Sequence, residues 1–119
     1  MTRHTISVRH AIDGIRQAFV TQPNFKVHLI LSSLAVILSF VLQLDHWEWI
    51  ILILTITVGL VIEMVNTAIE SVVDLVSTEW RKAAKTAKDV SAGAMLIYAL
   101  GSVCVAALLF IPKILWLYI

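Results

Sequence analysis

The sequence predicts an all-α integral membrane protein, a single domain over residues 1–119 with an N-terminal amphipathic interfacial helix followed by three transmembrane helices. Three observations predict it. Of the 119 residues, 60 % are apolar and only 14 % charged, more apolar surface than a soluble domain of this size can hide. Residues 27–44, 47–76 and 90–116 form three apolar stretches, each at least as long as the roughly 17 residues that a helix needs to cross the hydrocarbon layer. The charged residues fall mostly between and before them.

The elements follow in order. In residues 4–20, Val8, Ile12, Ile15 and Phe19 recur at intervals of four and three, with Arg9, Asp13, Arg16 and Gln17 on the other side. That spacing gives a helix lying in the interface, its basic residues toward lipid headgroups. Pro23 and Asn24 are expected to break it before the first span. The second span is long enough for its polar end to leave the bilayer. Residues 77–89 are expected to form a loop.

Lys and Arg orient the chain. Arg3, Arg9, Arg16 and Lys26 precede the first span, and Arg81, Lys82, Lys85 and Lys88 lie between the second and third. The Asp45-His46-Trp47-Glu48 connection has no basic residue, and only Lys113 lies near the C-terminus. The positive-inside rule therefore puts the N-terminus and the 77–89 loop in the cytoplasm and the C-terminus outside. Trp47, Trp49, Trp116 and Tyr118 then form an aromatic belt on the outer face. The first 27 residues are too polar for a signal peptide, and the chain is expected to insert whole.

Several classes are excluded. A net charge of +1 with no dense basic tract speaks against a nucleic-acid partner. The single cysteine, Cys104, cannot form an intrachain disulfide and reads as packing. No Walker A sequence or glycine-rich loop is present, which excludes a P-loop kinase.

The second span carries the chemistry. Glu63, Asn66, Glu70 and Asp74, at offsets of three, seven and eleven residues, fall within an arc of about 80° at roughly 100° per residue. Acidic groups in a transmembrane helix are costly and mark a site. The two glutamates lie about 10 Å apart along the axis, too far to share one proton. Glu63, among apolar neighbours, suits a general base for an alcohol. Glu70, nearer water and followed by Asp74, suits Mg²⁺, which takes carboxylate and phosphate oxygens together. Lys85, Lys88 and Asp89 follow, and cations beside an acidic metal site fit a polyphosphate. The residues thus describe a place where a membrane lipid hydroxyl meets a nucleotide phosphate.

Two other readings stand beside this one. Asn66 and Thr67 also serve as polar glue between helices, and Ser91, Ala92, Gly93 and Ala94 are small residues that let helices approach closely. A stripe of carboxylates can also line a proton or ion path in a small non-catalytic subunit, but residues 50–62 carry no ionisable group, so such a path would stop halfway. Three helices cannot enclose the stripe from lipid, and oligomerisation is expected.

The stretch from Glu63 to Asp74, Glu-Met-Val-Asn-Thr-Ala-Ile-Glu-Ser-Val-Val-Asp, resembles the signature of the prokaryotic diacylglycerol kinase family, which includes the undecaprenol kinases. Residues 87–94, Ala-Lys-Asp-Val-Ser-Ala-Gly-Ala, resemble its second block. The resemblance covers nearly the whole chain. It implies a homotrimeric lipid kinase of the bacterial inner membrane that uses Mg²⁺ and ATP, with active sites between subunits. By resemblance, Glu63 matches the catalytic base and Glu70 a metal ligand that also contacts ATP, with Asn66 and Asp74 supporting the site. Lys88 and Asp89 match nucleotide contacts; Glu79, Trp80 and Arg81 lie where the adenosine end is held, and Arg3 matches an arginine near the nucleotide. Gly14, Arg16 and Phe19 would line the lipid entrance with Ala92. Two positions depart from the family. Its second metal-binding glutamate falls at Gln22, whose amide oxygen ligates Mg²⁺ more weakly, and His10 stands where some members carry a tyrosine near ATP. Asn24-Phe25-Lys26-Val27-His28 is more similar to the undecaprenol kinase branch than to the enterobacterial diacylglycerol kinases. The acceptor implied is diacylglycerol, with undecaprenol as the alternative.

Overall fold

A computed structural model describes the backbone of residues 3–119 and the side chains of residues 7–119. Four helices follow one another: α1 (Arg3–Thr21), α2 (Pro23–Val41), α3 (His46–Val76) and α4 (Lys82–Tyr118). The last three are each long and apolar enough to cross a membrane. The four helices together form a slab 58 × 43 × 21 Å, about two helix diameters thick.

The break expected at Pro23 and Asn24 is there, α1 ending at Thr21 with Gln22 extended, and Pro23 also begins the next helix: it occupies the first turn of α2 behind Gln22, where its missing N–H is not needed and its fixed φ suits helical backbone. The helix that carries the first apolar stretch thus runs from Pro23 to Val41. The 77–89 loop is shorter than expected. Only residues 77–81 connect α3 to α4, and residues 82–89 are the opening turns of α4. Their lysines and alanines favour helix but are too polar to register as membrane span.

The α2–α3 hairpin is held by its turn. Gln43 takes a left-handed backbone, φ 55°. Its N–H donates to the Phe40 carbonyl at 3.3 Å, and the Leu44 N–H donates to the Ser39 carbonyl at 3.2 Å. Together these bonds make the Schellman closure that satisfies the end of α2. Asp45 Oδ1 then accepts from the Glu48 N–H and Glu48 Oε2 from the Asp45 N–H, both at 2.9 Å, a capping box starting α3. Glu48 Oε2 also pairs with Lys113 Nζ at 3.0 Å, tying this end to α4.

The core lies toward the same end, where Leu44, Leu52, Leu109 and Phe110 are buried together, with Ala35, Trp49 and Ile56 against them. The ring of Phe40 meets that of Trp49 at 4.8 Å. Helix α4 packs mainly on α3, while α1 touches both α2 and α3. The Lys26 ammonium sits 5.5 Å from the centre of the Phe19 ring at the α1–α2 junction. Cys104, expected as packing, is exposed on α4.

Candidate active site

Helix α3 is 31 residues long, about 46 Å at 1.5 Å per residue, against a hydrocarbon layer of about 30 Å. Its stripe therefore passes from apolar to polar surroundings. Glu63 is 3 % exposed, Asn66 and Glu70 are half-buried, and Asp74 is exposed. Burial decreases steadily along one face of one helix.

Helix α4 runs antiparallel to α3 and reaches this face twice. Ser91 Oγ donates to Asn66 Oδ1 at 2.5 Å, and Lys88 Nζ donates to Asp74 Oδ1 at 2.6 Å. Within α3, Asn66 Nδ2 donates to Glu70 Oε1 at 3.5 Å. Thr67 and Ser71 turn their hydroxyls back onto the Glu63 and Thr67 carbonyls, at 3.0 and 2.9 Å, which removes them from the polar face. Lys85 and Asp89 pair with each other at 2.5 Å along α4.

The other residues expected at the site lie around it. Glu79 and Trp80 are exposed in the 77–81 connection, where Ser77 Oγ donates to the Glu79 carbonyl at 3.2 Å. Arg81 is exposed at the N-cap position of α4, its side chain making no cap bond. His10, Gly14, Arg16 and Phe19 are exposed on α1, as is Ala92 on α4. Gln22 is half-buried and its amide donates to Thr21 Oγ1 at 3.4 Å. The Arg3 side chain lies outside the described residues.

For Mg²⁺ the donor chemistry fits in one particular way. Among the described residues no three His, Cys, Asp or Glu side chains gather to enclose an ion. A half-exposed carboxylate such as Glu70, with one oxygen engaged by Asn66, suits an ion held by one or two carboxylates that keeps waters and shares phosphate oxygens.

Two features were not anticipated from the sequence. Ser91 bonds directly to Asn66 and is 7 % exposed; its only sequence signal was a place in a run of small residues. One turn before Glu63, Gly59 lies under two rings: His28 of α2 stacks on Tyr98 of α4 at 5.8 Å and 21°, and a Cβ at Gly59 would overlap both. The Tyr98 hydroxyl donates to the Thr55 carbonyl. Beyond this clamp an apolar cavity of about 350 Å³ opens between α2, α3 and α4, lined by Ser32, Leu52, Met95 and Ala106 among others. None of the stripe residues lines it.

The family model for prokaryotic diacylglycerol kinase matches residues 9–110. The chain belongs to the prokaryotic diacylglycerol kinase family. It is 37 % identical over 115 residues to the diacylglycerol kinase of Synechocystis sp., covering 96 % of this chain and 66 % of that relative. It is 36 % identical over 114 residues to the undecaprenol kinase of Bacillus subtilis, covering 96 % and 93 %. To the diacylglycerol kinase of Escherichia coli K12 it is 29 % identical over 96 residues, covering 81 % and 79 %. All three relatives are named as kinases of lipids, and within the family match lie the whole stripe and both α4 residues that meet it.

Proposed function

We propose that this protein is an ATP-dependent lipid kinase of the bacterial inner membrane, moving the γ-phosphoryl group of Mg·ATP onto the hydroxyl of a membrane lipid, with diacylglycerol giving phosphatidic acid. The observation that carries the reading is the graded stripe on α3, a buried Glu63 one and two turns below an Asn66–Glu70 pair, in a chain of this family. An alcohol dissolved in lipid and a triphosphate dissolved in water can meet only at such a boundary.

Glu63 accepts the lipid hydroxyl proton as that oxygen bonds to the γ-phosphorus and the bond to the β-phosphate oxygen breaks, releasing ADP. Glu70 would hold Mg²⁺, with Gln22 as a weaker ligand. When bound, Mg²⁺ neutralises phosphate charge and orients the triphosphate. Lys88 moves from Asp74 onto the phosphates and offsets charge developing there. Asn66 and Asp74 keep Glu70 and Lys88 in position. Arg3, His10, Glu79, Trp80, Arg81 and Asp89 contact the nucleotide, and Gly14, Arg16, Phe19 and Ala92 line the lipid entrance.

The positive-inside distribution supports a cytoplasmic N-terminus and α3–α4 connection. Exposed Val8, Ile12, Ile15 and Phe19 support an interfacial α1. A homotrimer is the assembly that would cover the wide apolar faces left exposed on α2, α3 and α4.

Undecaprenol is the second acceptor to consider, favoured by the match along 93 % of the Bacillus subtilis undecaprenol kinase. The test is transfer of label from [γ-³²P]ATP in vesicles holding diacylglycerol, undecaprenol or neither. Label should enter the lipid only where an alcohol is present, fastest with the true acceptor, and Glu63→Gln should abolish it. Absence of labelling with both alcohols by a folded chain overturns the reading.

A further inference from the structure

We infer that Ser91 is a positioning residue for the metal–nucleotide site, acting through Asn66 on Glu70; the inference rests on the lipid-kinase reading and extends it to a residue on the opposite helix. Ser91 is 7 % exposed in the α3–α4 seam, and its hydroxyl donates to Asn66 Oδ1 at 2.5 Å. The other side of that amide faces Glu70 Oε1 at 3.5 Å.

The polarity of this relay has one solution. An ionised carboxylate only accepts hydrogen bonds, and a primary amide has one accepting and one donating end. With the amide reversed, Oδ1 would face a carboxylate oxygen, acceptor against acceptor. Glu70 therefore requires the NH₂ end, and Ser91 supplies the donor that the remaining Oδ1 needs. Without that hydroxyl, Oδ1 would sit in the seam lacking its partner, and the amide could rotate. Glu70 Oε1 would lose the donor that faces it at 3.5 Å, itself at the long end of hydrogen bonding, and the carboxylate would be held less closely to one direction. Residues that orient a metal-binding side chain in this way typically change metal affinity by about 10–100-fold when removed.

A packing role predicts something different. If Ser91 served only to let α4 approach α3, alanine would serve equally well, being as small and without a buried polar atom. The decisive variants are Ser91→Ala, Ser91→Thr, Asn66→Ala and the Ser91→Ala/Asn66→Ala pair, each in the full chain reconstituted in vesicles. Mn²⁺ is titrated in the presence of a non-hydrolysable ATP analogue and read by electron paramagnetic resonance, beside KM and kcat for Mg·ATP.

Ser91→Ala should weaken Mn²⁺ binding about tenfold and raise KM by a similar factor, with kcat changing less. Ser91→Thr, which keeps the hydroxyl, should recover most of the affinity. On an Asn66→Ala background the serine change should add nothing, because the relay is already cut. Parental Mn²⁺ affinity in Ser91→Ala, or losses that multiply in the double variant, overturns the inference. Should Ser91→Ala not fold, Ser91→Cys, of similar size with a weaker donor, decides by the same titration. A parental chain that labels lipid while Ser91→Ala binds Mn²⁺ normally removes only the role of Ser91. A parental chain that labels no lipid removes the kinase reading, and the titration still decides Ser91.

Discussion

Lys88 Nζ lies 2.6 Å from Asp74 Oδ1, joining the last turns of α3 to the first turns of α4 across the 77–81 connection. The lysine side chain is 42 % exposed and the aspartate 61 %, so solvent screens the pair and its contribution to stability is small. A cation held at the edge of a polar face by a weak partner is free to leave for a stronger one, a triphosphate. Lys88→Met should therefore leave thermal unfolding in detergent little changed and raise KM for ATP about tenfold or more. Exchanging the two residues, Lys88→Asp with Asp74→Lys, should rebuild the pair without rebuilding activity. An active exchanged variant would mean the lysine is only a strut between helices.

Glu63 is 3 % exposed, and among the described residues no Lys or Arg pairs with it. A buried carboxylate without a cation is costly to keep, so a group selected for stability alone would not be an acid here. Glu63→Gln should lower kcat by about 10²–10⁴-fold while the unfolding temperature stays equal or rises. Steady-state ATP consumption in lipid vesicles and thermal unfolding of the same preparation check both halves. A variant that loses stability along with activity would mark Glu63 as structural.

What the sequence made legible divides along one physical line. The stripe of Glu63, Asn66, Glu70 and Asp74 could be placed because α-helical periodicity acts within one segment, and the three apolar stretches could be found because hydrocarbon thickness fixes their length. The Ser91–Asn66 bond and the ring clamp over Gly59 could not, since the first depends on how α3 and α4 slide and rotate against one another and the second on how α2 joins them. Residues 82–89 were expected in a loop because hydropathy detects lipid contact, not helix, and a helix that continues into water has no apolar signal. Pro23 marks the end of α1 as expected, but that it also starts α2 was not legible, because the same residue that stops one helix fits the first turn of the next. The identity of the lipid acceptor is not written in the stripe, whose chemistry meets only a hydroxyl.

Gly59 is the point where α2 and α4 both press on α3, through His28 and Tyr98. Gly59→Ala forces a methyl group into those rings and should destabilise the chain by about 1–3 kcal/mol, measured by denaturation in mixed micelles. Because Glu63 is four residues further along the same helix, kcat should fall too. Gly101→Ala is the internal comparison: a Cβ there meets nothing within 4 Å, so the single chain tolerates it. A strong loss at Gly101 would therefore report close approach by a neighbouring copy.

Gln22 tests the metal half of the site from the opposite direction, by restoring a charge. It stands at the N-cap position of α2 without a side-chain cap bond, and among the described residues its amide is engaged only with Thr21 Oγ1, at 3.4 Å, the long end of hydrogen bonding. Gln22→Glu gives up little there, and an acidic residue at a helix N-terminus adds about 0.3–1 kcal/mol, so the fold should be slightly more stable. If position 22 approaches the metal that Glu70 would hold, the added charge should lower the Mg²⁺ concentration for half-maximal activity several-fold. A Glu70→Gln variant, which removes charge from the same ion, should move it the other way. Stabilisation without any change in Mg²⁺ dependence would show that residue 22 acts on the helix end alone, leaving Glu70 as the metal's carboxylate.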